Sequence, residues 1–213
     1  MRPRSMTDQC IALLDTAVQT IFPNPARPTV RPNPSNTIPE PSLSDAQKRQ
    51  AAGLMRVNHS GEVSAQALYQ GQALAAGKSA LRKQLLQAAA EEMDHLAWCE
   101  QRLSELDSAP SLLNPLWFGA SFLVGIMAGL AGDKISLGFL AETEAQVTLH
   151  LQGHLSTLPE QDLKSRMIVE HMAIDEHQHA QSAVAQGGIS LPEFVCNMMR
   201  WSAKALTKGS YLL

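Results

Sequence analysis

Glu91-Glu92-Met93-Asp94-His95-Leu96 and Asp175-Glu176-His177-Gln178-His179-Ala180 decide the fold of this chain. Each holds one Glu-x-x-His step, Glu92/His95 and Glu176/His179. A further glutamate stands at nearly the same distance before each: Glu62, 30 residues ahead of Glu92, and Glu144, 32 ahead of Glu176. On a helix, residues three apart share a face one turn along, so each Glu-x-x-His pair can ligate from one stripe. Fewer than one such pair is expected by chance from this composition. Two are present, both in segments that read as helix.

One Glu from each of two helices plus Glu-x-x-His from each of two others is the ferritin-like di-iron or di-manganese arrangement. Four carboxylates without cations would repel strongly in a bundle core, so the pattern calls for metal. Carboxylate-rich ligation with one imidazole per ion suits iron or manganese better than structural zinc. The candidate ligands are Glu62, Glu92, His95, Glu144, Glu176 and His179. Glu91 competes with Glu92 and His177 with His179, and spacing decides both, since only Glu92 and Glu176 have a histidine three residues on. Spacing leaves Glu142 and Glu144 open.

Around these motifs the chain reads as helices throughout. Residues 7–22 carry Ile11, Leu14, Val18 and Ile21 on one stripe, which predicts a short amphipathic N-terminal helix within 1–22. Seven prolines between Pro23 and Pro41 predict an extended linker over 23–41 that tethers this helix loosely and takes no part in the core. The ferritin-like domain spans 42–213. Ser44 and Gln47 form a capping-box pattern at its start. Long helices are expected over about 45–76, 79–107, 134–157 and 160–186, with a last one over 191–206. Gly53, Gly61 and Gly71 lie inside the first of these and predict close packing there. No segment alternates with period two, so no sheet is expected. The fold class is all-α: a four-helix bundle with a long hydrophobic crossover and extra N- and C-terminal helices.

The net charge of -3 excludes a strongly basic face, and with it a nucleic-acid partner. Cys10, Cys99 and Cys196 are scattered and odd in number, which fits a reducing compartment and no disulfide framework. The N-terminus lacks an apolar signal run. Its Arg2, Arg4, Arg27 and Arg31 are interrupted by Asp8 and Asp15, against a transit peptide.

From Leu54 onward, LMRVNHSGEVSAQALYQGQ, EEMDHL, AETEAQVTLHLQGHL and DEHQHA resemble the demethoxyubiquinol hydroxylase family of ubiquinone biosynthesis, in its bacterial branch. The resemblance covers about 42–213. It implies two iron ions held by the six residues named above, with Glu144 rather than Glu142 as the fourth carboxylate. It also implies a monooxygenase that uses O2 to hydroxylate the ring of a polyprenyl benzoquinol. Tyr69, two turns after Glu62, matches a family tyrosine, and His150 matches a family histidine. Both are candidates for the vicinity of substrate or electron transfer. Asp94 and Asp175 adjoin ligands, and one of them can orient a histidine. No dinucleotide fingerprint is present, so an external electron donor is expected.

The 25 residues from Ser108 to Gly132 carry no charge. They join the two halves of the motif pattern, where a bundle with parallel second and third helices needs its crossover. Leu116–Gly132 is at the lower limit for spanning a bilayer. Dipping into the interface, or forming a hydrophobic hairpin, would serve a lipid substrate; a buried crossover helix is the competing reading. The family resemblance favours a membrane-surface contact over about 114–132, peripheral, on the cytoplasmic face of the inner membrane. Gly125-x-x-x-Gly129 permits close helix contact and leaves a homo-oligomer open, as it does docking to partner proteins of ubiquinone biosynthesis. Two rival functions share the ligand set: a ferritin-like ferroxidase without a quinone, and a non-catalytic quinone-binding protein whose metal is structural.

Overall fold

Asn58, Gln66 and Tyr69 are polar residues facing inward from one long helix, and their partners fix the direction of the helices around it. The structure is a computed structural model that describes residues 6–24, 27 and 29–213, with side chains from Ile11 onward. Arg2, Arg4 and the side chains of Asp8 and Cys10 therefore lie outside the described residues. Seven helices occur among them: α1 (Met6–Ile21), α2 (Asp45–Ala75), α3 (Ser79–Glu105), α4 (Asn114–Leu130), α5 (Asp133–Thr157), α6 (Leu163–Ala185) and α7 (Glu193–Leu212). No strand occurs among the described residues.

Side-chain pairs set the topology. Gln66 meets the Ala89 carbonyl and His59 meets Glu100, so α3 runs antiparallel to α2. Gln72 reaches Ser136 and Asn58 reaches His154, so α5 is also antiparallel to α2 and parallel to α3. Arg102 bonds Ser165 and His95 approaches Glu176, which sets α6 antiparallel to α3. Helices α2, α3, α5 and α6 form the bundle, and α4 is the crossover that the parallel α3 and α5 require.

Local chemistry sets the ends. The Ser44–Gln47 capping box opens α2, and Gly77 N–H bonds Asp133 just past its end. Gly132 and Gly187 take positive φ, 109° and 100°, before α5 and after α6. Asp162 caps α6 through Ser165 N–H, so that helix starts at Leu163 rather than at Glu160. α7 runs to Leu212, six residues beyond the expected Leu206.

Three expectations are corrected by the structure. The crossover is neither a hairpin nor a buried helix: α4 is one helix with one face covered. A Cβ on Gly71 would strike the backbone of Phe122 and Ile126, and one on Gly125 the carbonyl of Leu68. These two glycines let α4 lie directly on α2, while Leu116, Leu123, Met127 and Leu130 of its other face stay exposed. The glycines within α2 divide: Gly53 packs on the Tyr211 ring, whereas Gly61 has open space beside it.

The third correction concerns the proline-rich segment, which is not a loose tether. Between its prolines it carries polar anchors that dock along α3. Arg27 pairs with Glu100 at 2.7 Å, Asn33 with Gln101, and Glu40 with Arg102 at 2.9 Å. Asn33 and Ser35 are buried, and Arg102 is fully so, held also by Asp162 and Ser165. Prolines prevent a helix but do not prevent docking through side chains.

Two of the apolar clusters draw on all four bundle helices. One holds Met55, Trp98, Cys99, Leu103, Leu151, Ile168 and Met172, and the other Ala65, Tyr69, Leu81, Leu85, Leu137, Leu140 and Ala183. Glu62, Glu92, Glu144 and Glu176 lie in sequence between these two sets on every bundle helix, and all four are buried. Burying four carboxylates between apolar layers is costly unless positive charge is close.

Candidate metal centre

The six predicted ligands converge. Glu62, Glu92, His95 and Glu176 each offer an atom, all within 4.8 Å of one another. His179 joins through Glu92 and Glu176, and Glu144 lies against Glu176. His95 Nδ1 is 2.9 Å from Glu92 Oε2 and 3.1 Å from Glu176 Oε1. His179 Nδ1 is 2.9 Å from Glu92 Oε1 and 3.5 Å from Glu176 Oε2. Each of these two glutamates thus directs one oxygen toward each histidine. Glu62 stands on the His95 side, at 3.5 Å from Nδ1. Glu144 is the carboxylate nearest in role on the other side.

The donor set fits cations. Glu62 Oε2, Glu92 Oε1, Glu144 Oε2, Glu176 Oε2 and His179 Nδ1 are buried without a hydrogen-bond partner. The 2.9 Å approach of His179 Nδ1 to Glu92 Oε1 is close in distance yet is not a hydrogen bond in direction. Electrostatics say the same. Burial, with the charges of Glu176 and Glu92 added, pushes the Glu62 carboxyl well above its usual range, against the pull of His95. Burial and the same kind of repulsion raise Glu144 well above it too. Burial opposes charge on His179, but Glu176 and Glu92 outweigh it and push its pKa up to about 12. His95 is raised by Glu92 and its other carboxylate neighbours against the same opposition. The cluster holds more negative charge than its fold can satisfy, and divalent cations would displace those protons.

Each histidine is oriented from outside the cluster. His95 Nε2 lies 2.9 Å from Asp175 Oδ2, and His179 Nε2 lies 3.2 Å from Glu91 Oε2. An ionised carboxylate only accepts, so Nε2 donates in each, while Nδ1 faces the cluster, where a cation would take the place of its proton. A symmetry emerges: the acid just before each Glu-x-x-His step holds the histidine of the other step. Asp175 fulfils the expected orienting role. Asp94 does not; it accepts from Val30 N–H, Arg31 N–H and Arg31 Nε at 2.8, 3.1 and 3.2 Å. The repeated acid-Glu-x-x-His spelling is the signal that would have singled out Glu91. No local signal marks Arg31, whose contacts lie far away in sequence.

The remaining candidates separate. Tyr69 Oη donates to Glu144 Oε1 at 2.9 Å and is buried at the cluster. Glu142 bonds Gln146 instead, and His177 bonds Gln181 at the surface. His150 packs its ring on His154, 4.1 Å between centroids, and His154 in turn meets Asn58. That neighbour is not one of the six, and His150 Nε2 is buried without a hydrogen-bond partner. A cavity of about 50 Å³, open to solvent, lies on the His179 side. Tyr69 and His179 meet it among Leu81, Leu85, Leu137 and Leu140.

Residues 49–210 match the family described as ubiquinone biosynthesis protein COQ7. This chain belongs to that family. COQ7 relatives named 3-demethoxyubiquinol 3-hydroxylase are similar along their whole length. One from Legionella pneumophila (strain Paris) is 51% identical over 213 residues, covering 100% of both chains. One from Azotobacter vinelandii is 52% identical over 99% of this chain and 97% of its own. Among solved structures, a thioferritin-type bacterioferritin-related protein from Bacteroides fragilis matches with a TM-score of 0.51 at 18% identity. It covers 68% of this chain and 88% of that one, and it shows the ferritin-like fold alone.

Proposed function

We propose that the chain is a 3-demethoxyubiquinol 3-hydroxylase, a di-iron monooxygenase that adds a hydroxyl to the ring of a polyprenylated methoxybenzoquinol. The observation that carries this reading is the pairing of Glu92 and Glu176, each offering one oxygen to each of two histidines, in a chain about half identical to proteins of that name. Glu62, Glu92, His95, Glu144, Glu176 and His179 would hold two iron ions. When bound, the irons supply the redox chemistry that activates O2. One oxygen atom enters the ring and the other leaves as water, so two electrons must come from an external donor.

The protein's own contribution is binding and placement. The apolar wall of Leu81, Leu85, Leu137 and Leu140 suits a quinol ring, and Gln84, Ser182 and Gln186 near it offer polar partners for ring oxygens. Tyr69 fixes Glu144 by its hydrogen bond and is a positioning residue on this side. The burial of the cluster keeps bulk water from the reacting centre.

No helix among the described residues is long and apolar enough to cross a membrane. The exposed row Leu116, Leu123, Met127 and Leu130 on α4, with Ile11, Leu14 and Val18 on α1, supports peripheral contact with a bilayer. From there a polyprenyl substrate can be drawn at the cytoplasmic face of the inner membrane.

The test is reconstitution with ferrous iron under anaerobic conditions, followed by O2, an electron donor and 3-demethoxyubiquinol. Conversion to the hydroxylated quinol by the unmodified protein, lost in Glu144→Ala with the helical signal intact, is the expected result. Full conversion by Glu144→Ala would overturn the ligand assignment. Iron oxidation with no quinol product would replace the reading with a ferroxidase.

A further inference from the structure

The proline-rich segment touches the metal centre at one residue. Arg31 Nη1 donates to Asp175 Oδ2 at 2.7 Å, that same oxygen lies 2.9 Å from His95 Nε2, and Arg31 Nη2 stands 3.4 Å from the same Nε2. Its Nε donates to Asp94 Oδ2 at 3.2 Å. Asp94 also accepts the backbone N–H groups of Val30 and Arg31, so its buried carboxylate is a socket into which this stretch of chain is plugged. The guanidinium lies over the Trp98 ring, 5.0 Å from its centroid, and Trp98 packs against His95 at 5.2 Å. Arg31 therefore grips two carboxylates on two helices, α3 and α6, each beside a candidate ligand.

We propose that Arg31 is a positioning residue for the metal centre: it holds the Asp175 carboxylate on His95 Nε2 and thereby keeps Nδ1 of that histidine turned toward the carboxylate cluster. The inference rests on the metal-centre reading above and deepens it. A planar guanidinium with separate Nε and Nη donors can span two carboxylates at fixed angles, which an ammonium cannot do. Asp175 is partly exposed, so left to itself it has two other options, rotation to solvent or loss of its aim at Nε2. Arg31 removes both. Arg31 is partly exposed, and its effect is on orientation rather than on net charge.

The role separates from mere docking of the segment. Arg27 anchors the same segment on Glu100, with no contact to Asp175. The experiment compares Arg31→Gln, Arg31→Lys, Asp175→Asn, the double variant Arg31→Gln/Asp175→Asn, and Arg27→Gln. Binding of ferrous iron is measured anaerobically by chelator competition, and Co2+ is used separately for its ligand-field spectrum. Loss of an outer partner of a metal-bound histidine weakens metal binding by about 10–100-fold. Arg31→Gln is expected to fall in that range and shift the Co2+ bands, with Arg31→Lys recovering only part. The double variant is expected to be no weaker than Asp175→Asn alone, and Arg27→Gln to bind as the unmodified protein does. Additive losses in the double variant, or an Arg27→Gln loss equal to that of Arg31→Gln, would overturn the proposal, since either makes Arg31 act elsewhere than through Asp175. Unchanged affinity and spectra in Arg31→Gln would overturn it directly. If the unmodified protein bound neither ion, the metal-centre reading itself would fall, and this inference with it.

Discussion

The two halves of the cluster are spelled alike and built differently. His95 is fully buried, its orienting acid Asp175 is mostly covered at 18% exposure, and Arg31 closes over both. His179 is 16% exposed, its orienting acid Glu91 is 48% exposed, and an apolar cavity lies beside it. One half is covered by the docked proline-rich segment. The other faces outward, where a substrate can arrive. A repeated motif thus yields a firm side and an accessible side, and the difference comes from what packs outside the ligands rather than from the ligands.

The largest effect should come where the halves are joined. Glu92→Ala or Glu176→Ala removes an oxygen from each side at once, so iron binding at both positions and all turnover are expected to vanish. Retention of one tightly bound iron would show that the glutamate does not bridge. Next, the histidines should differ. His95→Ala opens a cavity in a fully buried place and takes the partner from buried Glu92 Oε2, at a cost of about 2–4 kcal/mol to the metal-free fold. His179→Ala, partly exposed beside the cavity, should cost less. Urea unfolding of the metal-free proteins decides this, and equal losses would erase the asymmetry.

Smaller changes probe the open side alone. Tyr69→Phe leaves Glu144 Oε1 without its donor; about 10-fold lower kcat with iron content retained is expected, a barrier increase of about 1.4 kcal/mol. Leu140→Trp should fill the cavity and raise KM for the quinol while leaving iron binding unchanged. An unchanged KM would remove the cavity as the route of entry.

The closed side makes the mildest prediction, in acid. Burial favours the neutral form of Glu100, but His59 and Arg27 outweigh it and hold its pKa below 4.5. A depressed carboxylate contributes stability that is present above its unfolded pKa and lost as pH falls through the folded value. Docking of the proline-rich segment should therefore weaken only below about pH 4.5, in contrast to a site that would loosen near neutrality. Fluorescence of Trp98, under Arg31, reports it.

Much of this could be read in the sequence because it is local. Glu-x-x-His spacing needs only helical periodicity, and the parallel placement of α3 and α5 follows from the need for a crossover between the motif halves. The docked segment could not be read in that way. Proline density says what the backbone cannot do, whereas docking depends on Arg31 meeting Asp94 and Asp175, 63 and 144 residues away. The half-covered α4 shows the same limit. A charge-free run says that water is avoided, but which face is covered depends on Gly71 and Gly125 meeting across two helices. Glu91 is legible in principle, from the acid repeated before each motif, although helical spacing alone makes it only a rival of Glu92.

The most direct test of the central claim is an anaerobic titration with ferrous iron followed by Mössbauer spectroscopy of the loaded protein. Two irons per chain, in two distinguishable environments matching the closed and open halves, is the result expected. One iron per chain, or two in identical surroundings, would contradict a paired site whose sides are built differently.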